Sequence, residues 1–112
     1  MNDRGDQDAM QRLREDIDRL DQEILRLLTA RSRVVVDLGH VKRRLGIALH
    51  CPERELEVLR LVTEHNHGPL DDAAVRRLFE RIIDESRRIE RLAMEAPDAG
   101  APPLGGRGVP RT

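Results

Sequence analysis

A heptad pattern of apolar residues runs through residues 8–45 and sets the architecture that this chain can adopt. The apolar positions alternate spacings of four and three: Leu13, Ile17, Leu20, Ile24, Leu27, Val34, Leu38, Val41 and Leu45. No proline interrupts them, so they predict one α-helix about 55 Å long. A globule of 112 residues is only about 26 Å across. The helix must therefore project beyond its own monomer, and its apolar seam predicts a second copy of the chain as partner.

Two shorter helices are expected to follow. The segment 52–65 begins at Pro52, and proline is favoured in the first turn of a helix. The third helix should begin behind Asp71 or Asp72, either of which can cap it, and should run to about Met94. Since no strand pattern occurs, we expect an all-α fold with three helices per chain.

The two ends of the chain differ in composition from its middle. Residues 1–6 are polar, and residues 97–112 hold four of the six prolines and four of the eight glycines. Such segments bury too little apolar surface to become ordered. We therefore predict a disordered N-terminus over 1–6, a helical domain over 7–95 and a disordered tail over 96–112.

Charge and composition argue against several classes of partner. Lys and Arg (20) nearly balance Asp and Glu (21), and Phe79 is the one aromatic residue, so neither a basic field nor a base-stacking surface for nucleic acid is expected. No stretch approaches the roughly 18 apolar residues of a membrane span. The N-terminus lacks the apolar core of a secretion signal, and the single cysteine, Cys51, cannot form an internal disulfide. A cytoplasmic setting is therefore the expectation.

Charged residues interrupt the seam of the first helix. Arg31 occupies the seam position between Leu27 and Val34, where a charge is costly unless it is paired. Lys42 follows eleven residues later, close to three helical turns, so the two cations lie on nearly one face, about 16 Å apart. The pair suggests a wall that binds an anion. Alternatively, Arg31 could fix the register of a coiled coil or extend its charged end outward, and Lys42 could be an ordinary solvated lysine. Arg14 lies roughly 100° away around the helix and could reach only the matching pocket of a second chain.

The third helix carries a similar interruption. Ser86 and Glu90 are spaced i,i+4 within its apolar stripe, so they share one face. They either face water near the end of the helix or point a hydroxyl and a carboxyl into a polar pocket. The chain offers no Ser-His-Asp arrangement, no paired cysteines, no metal-ligand spacing and no phosphate-binding glycine loop. Any catalysis would therefore depend on positioned charges rather than on a nucleophile or a metal.

Several short motifs occur together in one order. They are LREDID (13–18), LLTAR (27–31), GHVK (39–42), PERE (52–55), GPLD (68–71) and IIDES (82–86). In this order they resemble the helical class of chorismate mutase, over about residues 8–93. The resemblance implies an intertwined six-helix homodimer with two active sites. It also implies an enzyme of aromatic amino-acid biosynthesis that rearranges chorismate to prephenate without a cofactor or a metal.

The resemblance also implies roles for individual cations. Arg31, Lys42 and Arg54 would bind the carboxylates and neighbouring oxygens of a small dianionic substrate. Arg14 would enter the site from the partner chain, in agreement with its angular offset. Arginine side chains suit this task because their planar forks bind carboxylates through two hydrogen bonds at once.

The remaining implied site residues surround the reacting part of the substrate. Glu55 would accept the ring hydroxyl, Ser86 would help to hold a carboxylate, and Lys42 and Glu90 would flank the ether oxygen on which negative charge develops. Glutamate can donate to that oxygen only when it is protonated. Cys51 stands where the family usually has Asp before the Pro-Glu-Arg-Glu run, which should weaken a helix cap.

This substitution at position 51 leaves related activities open. The alternatives are a 4-amino-4-deoxychorismate mutase and an isochorismate-pyruvate lyase, which share the charged cage of the family. An alternative of another class is a helical dimerisation or regulatory module without activity, in which the cations would pair with surface acids.

Overall fold

The structure, a computed structural model, describes residues 3–96. Three helices make up this part of the chain: α1 spans Asp3–Leu45, α2 spans Pro52–Glu64 and α3 spans Asp72–Glu95. No strand occurs within the described residues. The predicted all-α fold and the number of helices are therefore confirmed.

The predicted ends of the domain need one correction. Because α1 begins at Asp3, residues 3–6 are helical and not part of a disordered N-terminus. Asp3 and Asp6 lie in the first turn, where negative side chains stabilise the positive end of the helix dipole. The predicted disordered tail, except for Ala96, lies outside the described residues.

The described residues divide into two units, one that ends at Arg31 (the Met1–Arg31 unit) and a second that begins at Ser32. The first unit holds the N-terminal part of α1. Its seam residues are largely exposed in the single chain, with Ile17 at 55% and Leu20 at 62% of full exposure. The apolar face that the heptad pattern predicts is thus present on this unit and is accessible.

The second unit contains the end of α1 together with α2 and α3. Its buried apolar side chains come from α2 and α3: Leu59, Val75, Ile83 and Ala93. The turn between α2 and α3 is organised by Asn66, whose amide nitrogen donates to the carbonyl oxygen of Leu70 and to Asp72, each at 2.8 Å. Helix α3 then begins as predicted, because the Asp71 carboxylate accepts a hydrogen bond from the backbone nitrogen of Ala74 at 2.7 Å.

Helix α1 ends in a defined cap at Gly46, which has φ of +72°. The backbone nitrogen of Gly46 donates to the carbonyl of Arg43 at 3.2 Å, and that of Ile47 donates to the carbonyl of Lys42 at 2.9 Å. This pair of bonds is the Schellman motif, which requires a left-handed residue, in most cases glycine, just past the helix. The cap directs the chain into the 46–51 connection.

None of the helices within residues 3–96 is long and apolar enough to cross a lipid bilayer.

Candidate active site

A close approach of α1 and α3 builds the centre of the candidate site. Gly39 of α1 is buried, and a Cβ atom placed on it would lie 2.8 Å from the carbonyl oxygen of Glu90 and 3.0 Å from Cβ of Ala93. Such distances leave no space for a side chain, so glycine is needed where the two backbones meet. The contact brings the face of α1 that carries Lys42, one turn after Gly39, against α3.

Lys42 and Glu90 form a buried ion pair at this contact. The Lys42 Nζ atom donates to Glu90 Oε1 at 2.6 Å and to the carbonyl oxygen of Leu49 at 2.9 Å. Glu90 is only 7% exposed and is the one charged side chain classed as buried within residues 3–96. Because a buried charge is costly without a partner, each of these two groups stabilises the other. An ammonium group has three donors, so Lys42 retains one N–H for a ligand oxygen.

Lys42 also stands out by its residue type. It is the only lysine in the sequence, in which arginine supplies the other 19 basic residues. An ammonium group is a compact point charge with donors that rotate, whereas the arginine side chain is a planar fork. The compact group suits a narrow position between α3 and the 46–51 connection. The choice of lysine therefore agrees with a site that must aim one donor at one oxygen.

The structure bears on the two interpretations of the polar residues Ser86 and Glu90 in α3. Glu90 does not face water, and Ser86, one turn earlier, is half-buried. Glu90 is buried and paired with Lys42, so it is not part of a solvated helix end. That Glu90 and Ser86 point into a substrate pocket stays a prediction.

A second cluster joins α2 to α3. Both carboxylate oxygens of Glu55 accept hydrogen bonds from Nη2 of Arg87 at 2.8 Å, and Nε of Arg87 donates to Oε2 at 3.2 Å. His50 Nε2 lies 3.8 Å from Oε1 of the same carboxylate. The hydrogen bonds to Glu55 raise the pKa of Arg87, with desolvation opposing them and the charges of Glu55 and Asp84 adding to them.

Arg87 is a residue that sequence reasoning missed. It lies next to Ser86 on α3, but 32 residues separate it from Glu55, and no local pattern indicates this contact. Only the packing of α2 on α3 brings the two side chains together.

The other predicted residues near the start of α2 are exposed. Arg54 pairs with Glu57 one turn later, and both side chains are largely accessible to solvent. Cys51 occupies the N-cap position of α2, and its side chain makes no capping hydrogen bond. The predicted weak cap is thus confirmed, since nothing from the Cys51 side chain satisfies the first backbone N–H groups of α2.

Arg14 and Arg31 both belong to the Met1–Arg31 unit. Arg14 is exposed on α1, and Arg31 is half-buried. Among the predicted site residues, the second unit thus brings Lys42 and Glu90 together. Glu55, by contrast, contacts Arg87, which was not predicted.

Comparisons with known proteins agree in pointing to one family. The family model described as chorismate mutase type II matches residues 13–91. A bifunctional chorismate mutase/prephenate dehydratase of Neisseria gonorrhoeae is 44% identical over 75 residues, which are 67% of this chain and 20% of that protein. A chorismate mutase of Methanocaldococcus jannaschii is 29% identical over 87 residues, 74% of this chain and 85% of that protein.

The solved structures give the same result. A chorismate mutase (form II) from Thermus thermophilus superposes with a TM-score of 0.73 at 40% identity, over 74% of this chain and 94% of that chain. The chain spans only 20 to 26% of the length of the bifunctional relatives that it matches.

Proposed function

Since the chain belongs to the chorismate mutase type II family, we propose that it catalyses the rearrangement of chorismate to prephenate. The observation that carries this proposal is the pair of Lys42 and Glu90, which holds an ammonium donor at a buried position between two helices. The reaction requires such a donor and little else in the way of reactive groups.

The reaction is an intramolecular rearrangement of a dianion. The C–O bond of the ether breaks while a C–C bond forms within the same molecule, so no atom enters or leaves. Negative charge grows on the ether oxygen in the transition state, and a fixed donor beside that oxygen stabilises the transition state more than the substrate. We assign this task to Lys42, whose position is held by Glu90 and by the carbonyl oxygen of Leu49.

Glu90 has two tasks in this proposal. As a carboxylate it holds Lys42 in place, whereas only the protonated acid could itself donate to the ether oxygen, so the two tasks belong to different protonation states. The unprotonated form would repel the charge that develops there. Replacement of Glu90 by glutamine therefore separates the two tasks, because an amide can donate but carries no charge.

The arginines are proposed to fold the substrate into its reactive conformer. Arg31 and Arg54 bind carboxylates, with Ser86 and the N-terminal end of α2 near Cys51 completing the binding surface. Arg54 is available for this because its pair with Glu57 is exposed and spaced i,i+3. Such pairs stabilise a helix by only about 0.3–0.5 kcal/mol, so a dianion displaces Glu57 at little cost.

A homodimer with Arg14 supplied by the partner chain completes the proposed site. Support comes from the exposed seam of the Met1–Arg31 unit, where an apolar side chain as large as Leu20 remains 62% accessible. A continuous apolar patch of this kind is rare on a monomer and usual at an interface between subunits. A cytoplasmic location stays a prediction.

The test of the activity is the loss of chorismate absorbance with purified protein, followed by identification of the product. Prephenate supports the proposal, whereas pyruvate or an amino-substituted prephenate from the corresponding substrates would indicate one of the sister activities. Lys42→Met should abolish turnover. Arg60→Met is the matched control, because it removes a positive charge from an exposed i,i+4 pair on α2. A protein that binds no chorismate would leave only a dimerisation role.

The test of the dimer uses subunit exchange. Arg14→Ala and Arg31→Ala chains should each be inactive, but a mixed dimer has one site with both defects and one with neither. After random exchange at equal concentrations, about a quarter of the sites should be intact. No recovery after verified exchange would refute the role of Arg14 across the interface. Sedimentation should give twice the 12.8 kDa chain mass.

A further inference from the structure

The ion pair of Arg87 and Glu55 differs from most of the other arginine–carboxylate pairs in the described chain. Pairs such as Arg60 with Glu64 and Arg81 with Glu85 join neighbouring turns of one helix and are exposed. Arg87 instead reaches from α3 to α2 and binds both oxygens of the carboxylate, with side-chain exposures of 31% for Arg87 and 26% for Glu55. A bidentate, half-buried ion pair fixes the plane of a carboxylate far better than an exposed ion pair does.

The positive charge of Arg87 nearly cancels the negative charge of Glu55 at close range. Arg87 donates to Glu55 from two nitrogens, and Nε2 of His50 lies 3.8 Å from Oε1 of the same carboxylate. A second carboxylate, Asp84, lies 3.4 Å from Nη1 of Arg87, but it is more than half exposed, so solvent screens its charge. Without Arg87, two carboxylates would face this region, and His50 is the one other group described beside Glu55 that could carry a positive charge.

We propose that Arg87 is a positioning residue that makes the site prefer a substrate with a neutral hydroxyl over one with an ammonium group at the same ring position. The proposal rests on the proposed function and on the role of Glu55 as acceptor of the ring hydroxyl. It separates chorismate from 4-amino-4-deoxychorismate, which differ at this one group.

The preference follows from the charge on the acceptor. An ionised carboxylate can only accept hydrogen bonds, so Glu55 can bind a hydroxyl or an ammonium group. Alone, it would favour the ammonium group, because attraction between opposite charges adds to the hydrogen bond. Arg87 removes that advantage by cancelling the charge of Glu55 and by placing its own positive charge near an ammonium group. The carboxylate keeps free lone pairs for a neutral hydroxyl, and its orientation stays fixed.

The experiment measures relative recognition of the two compounds. Chorismate turnover gives KM, and inhibition of that turnover by 4-amino-4-deoxychorismate gives Ki, both at about pH 7, where an amine is mostly protonated. Arg87→Met should lower the ratio Ki/KM about tenfold, the scale expected for one lost charge interaction at a partly buried site. The matched control is Arg88→Met, which removes the same charge from the next residue, an exposed arginine paired within α3. It should leave Ki/KM unchanged.

Arg87→Lys separates charge from geometry. Because it keeps the positive charge, it should hold Ki/KM within about threefold of the native value while KM rises, since a lysine cannot reproduce the two-pronged contact. If Arg87 merely braces α2 against α3, Arg87→Met should weaken both compounds equally, and an unchanged ratio would overturn the proposal. If the circular dichroism spectrum shows that Arg87→Met has lost its helices, Glu55→Gln tests the proposal instead. It leaves Arg87 with only the largely exposed Asp84 as counter-charge, so Ki/KM should rise, and a fall would refute the idea.

Failure of the proposed function gives a different experimental result from failure of the role proposed for Arg87. A native protein that turns over no chorismate would contradict the proposed function itself, before any comparison of variants. A native protein that turns over chorismate, but whose ratio Ki/KM does not respond to Arg87→Met, would contradict only the role of Arg87.

Discussion

Replacement of Gly39 by alanine tests whether a close helix contact positions the proposed catalytic pair. On a helix, this change should stabilise the protein, because alanine has the higher helix propensity by about 1 kcal/mol. Burial of the added methyl group would contribute about 0.8 kcal/mol more. If Gly39 were simply a weak point of α1, the variant should therefore be more stable by about 2 kcal/mol.

The geometry of the contact opposes this gain. The new Cβ atom would lie 2.8 Å from the backbone oxygen of Glu90, a distance that no rotation of a side chain can relieve, and 3.0 Å from Cβ of Ala93. Overpacking of this kind costs about 1–3 kcal/mol, and contact with backbone places the cost at or above the upper end. The net expectation is a loss of about 1 kcal/mol, which lowers Tm by about 4–8 °C in a domain of this size.

The assay is urea denaturation at fixed protein concentration, combined with chorismate turnover. The stability control is Ala30→Gly at an exposed position of α1, which reports the propensity difference alone. Because Lys42 follows Gly39 by one turn, separation of α1 from α3 should lengthen its bond to Glu90 and lower kcat about tenfold. A Gly39→Ala protein that is both more stable and fully active would refute the argument from close approach.

Three further predictions concern single positions. Cys51→Asp should stabilise the protein by about 0.5–2 kcal/mol in urea denaturation, because Asp can cap α2 and Cys51 makes no capping bond; equal midpoints for Cys51→Asp and Cys51→Ala would place the cap elsewhere. Glu90→Ala should lose activity and about 3 kcal/mol of stability, because it leaves Lys42 part-buried without its counter-charge. Glu90→Gln should keep most of the turnover, and an activity as low as that of Glu90→Ala would mean that the charge matters more than the donor. Gly46→Ala should cost about 1–2 kcal/mol, because residue 46 adopts φ of +72°; Gly46→Asn should cost less, and a neutral Gly46→Ala would contradict the cap assignment.

Local patterns in the sequence were sufficient for the number of helices and for the starts of α2 and α3. Pro52 and Asp71 mark the starts of α2 and α3 as predicted, because caps and first turns depend on neighbouring residues only. The start of α1 was predicted too late, since the polar residues 3–6 offered no apolar periodicity and yet continue the helix. The resemblance to the helical chorismate mutases was confirmed by the family match over residues 13–91.

The sequence also indicated which residue types the candidate site needs. Glu90 was recognised as a polar residue on an apolar stripe, and Lys42 as a cation on the face of Arg31, from helical spacing alone. Spacing could not show that Lys42 and Glu90 bond to each other, because 48 residues separate them. It likewise left open whether Glu90 faced water or the interior.

Tertiary structure alone decided the contacts between helices. Helix propensity marks Gly39 only as a residue that disfavours a helix, whereas in the structure it is the place where α1 meets the backbone of α3. Arg87 was one arginine among many until the packing of α2 on α3 placed it on both oxygens of Glu55. The physical reason is the same in both cases. Helical periodicity tells which face of a helix is apolar, but the residue that this face meets depends on how distant segments pack.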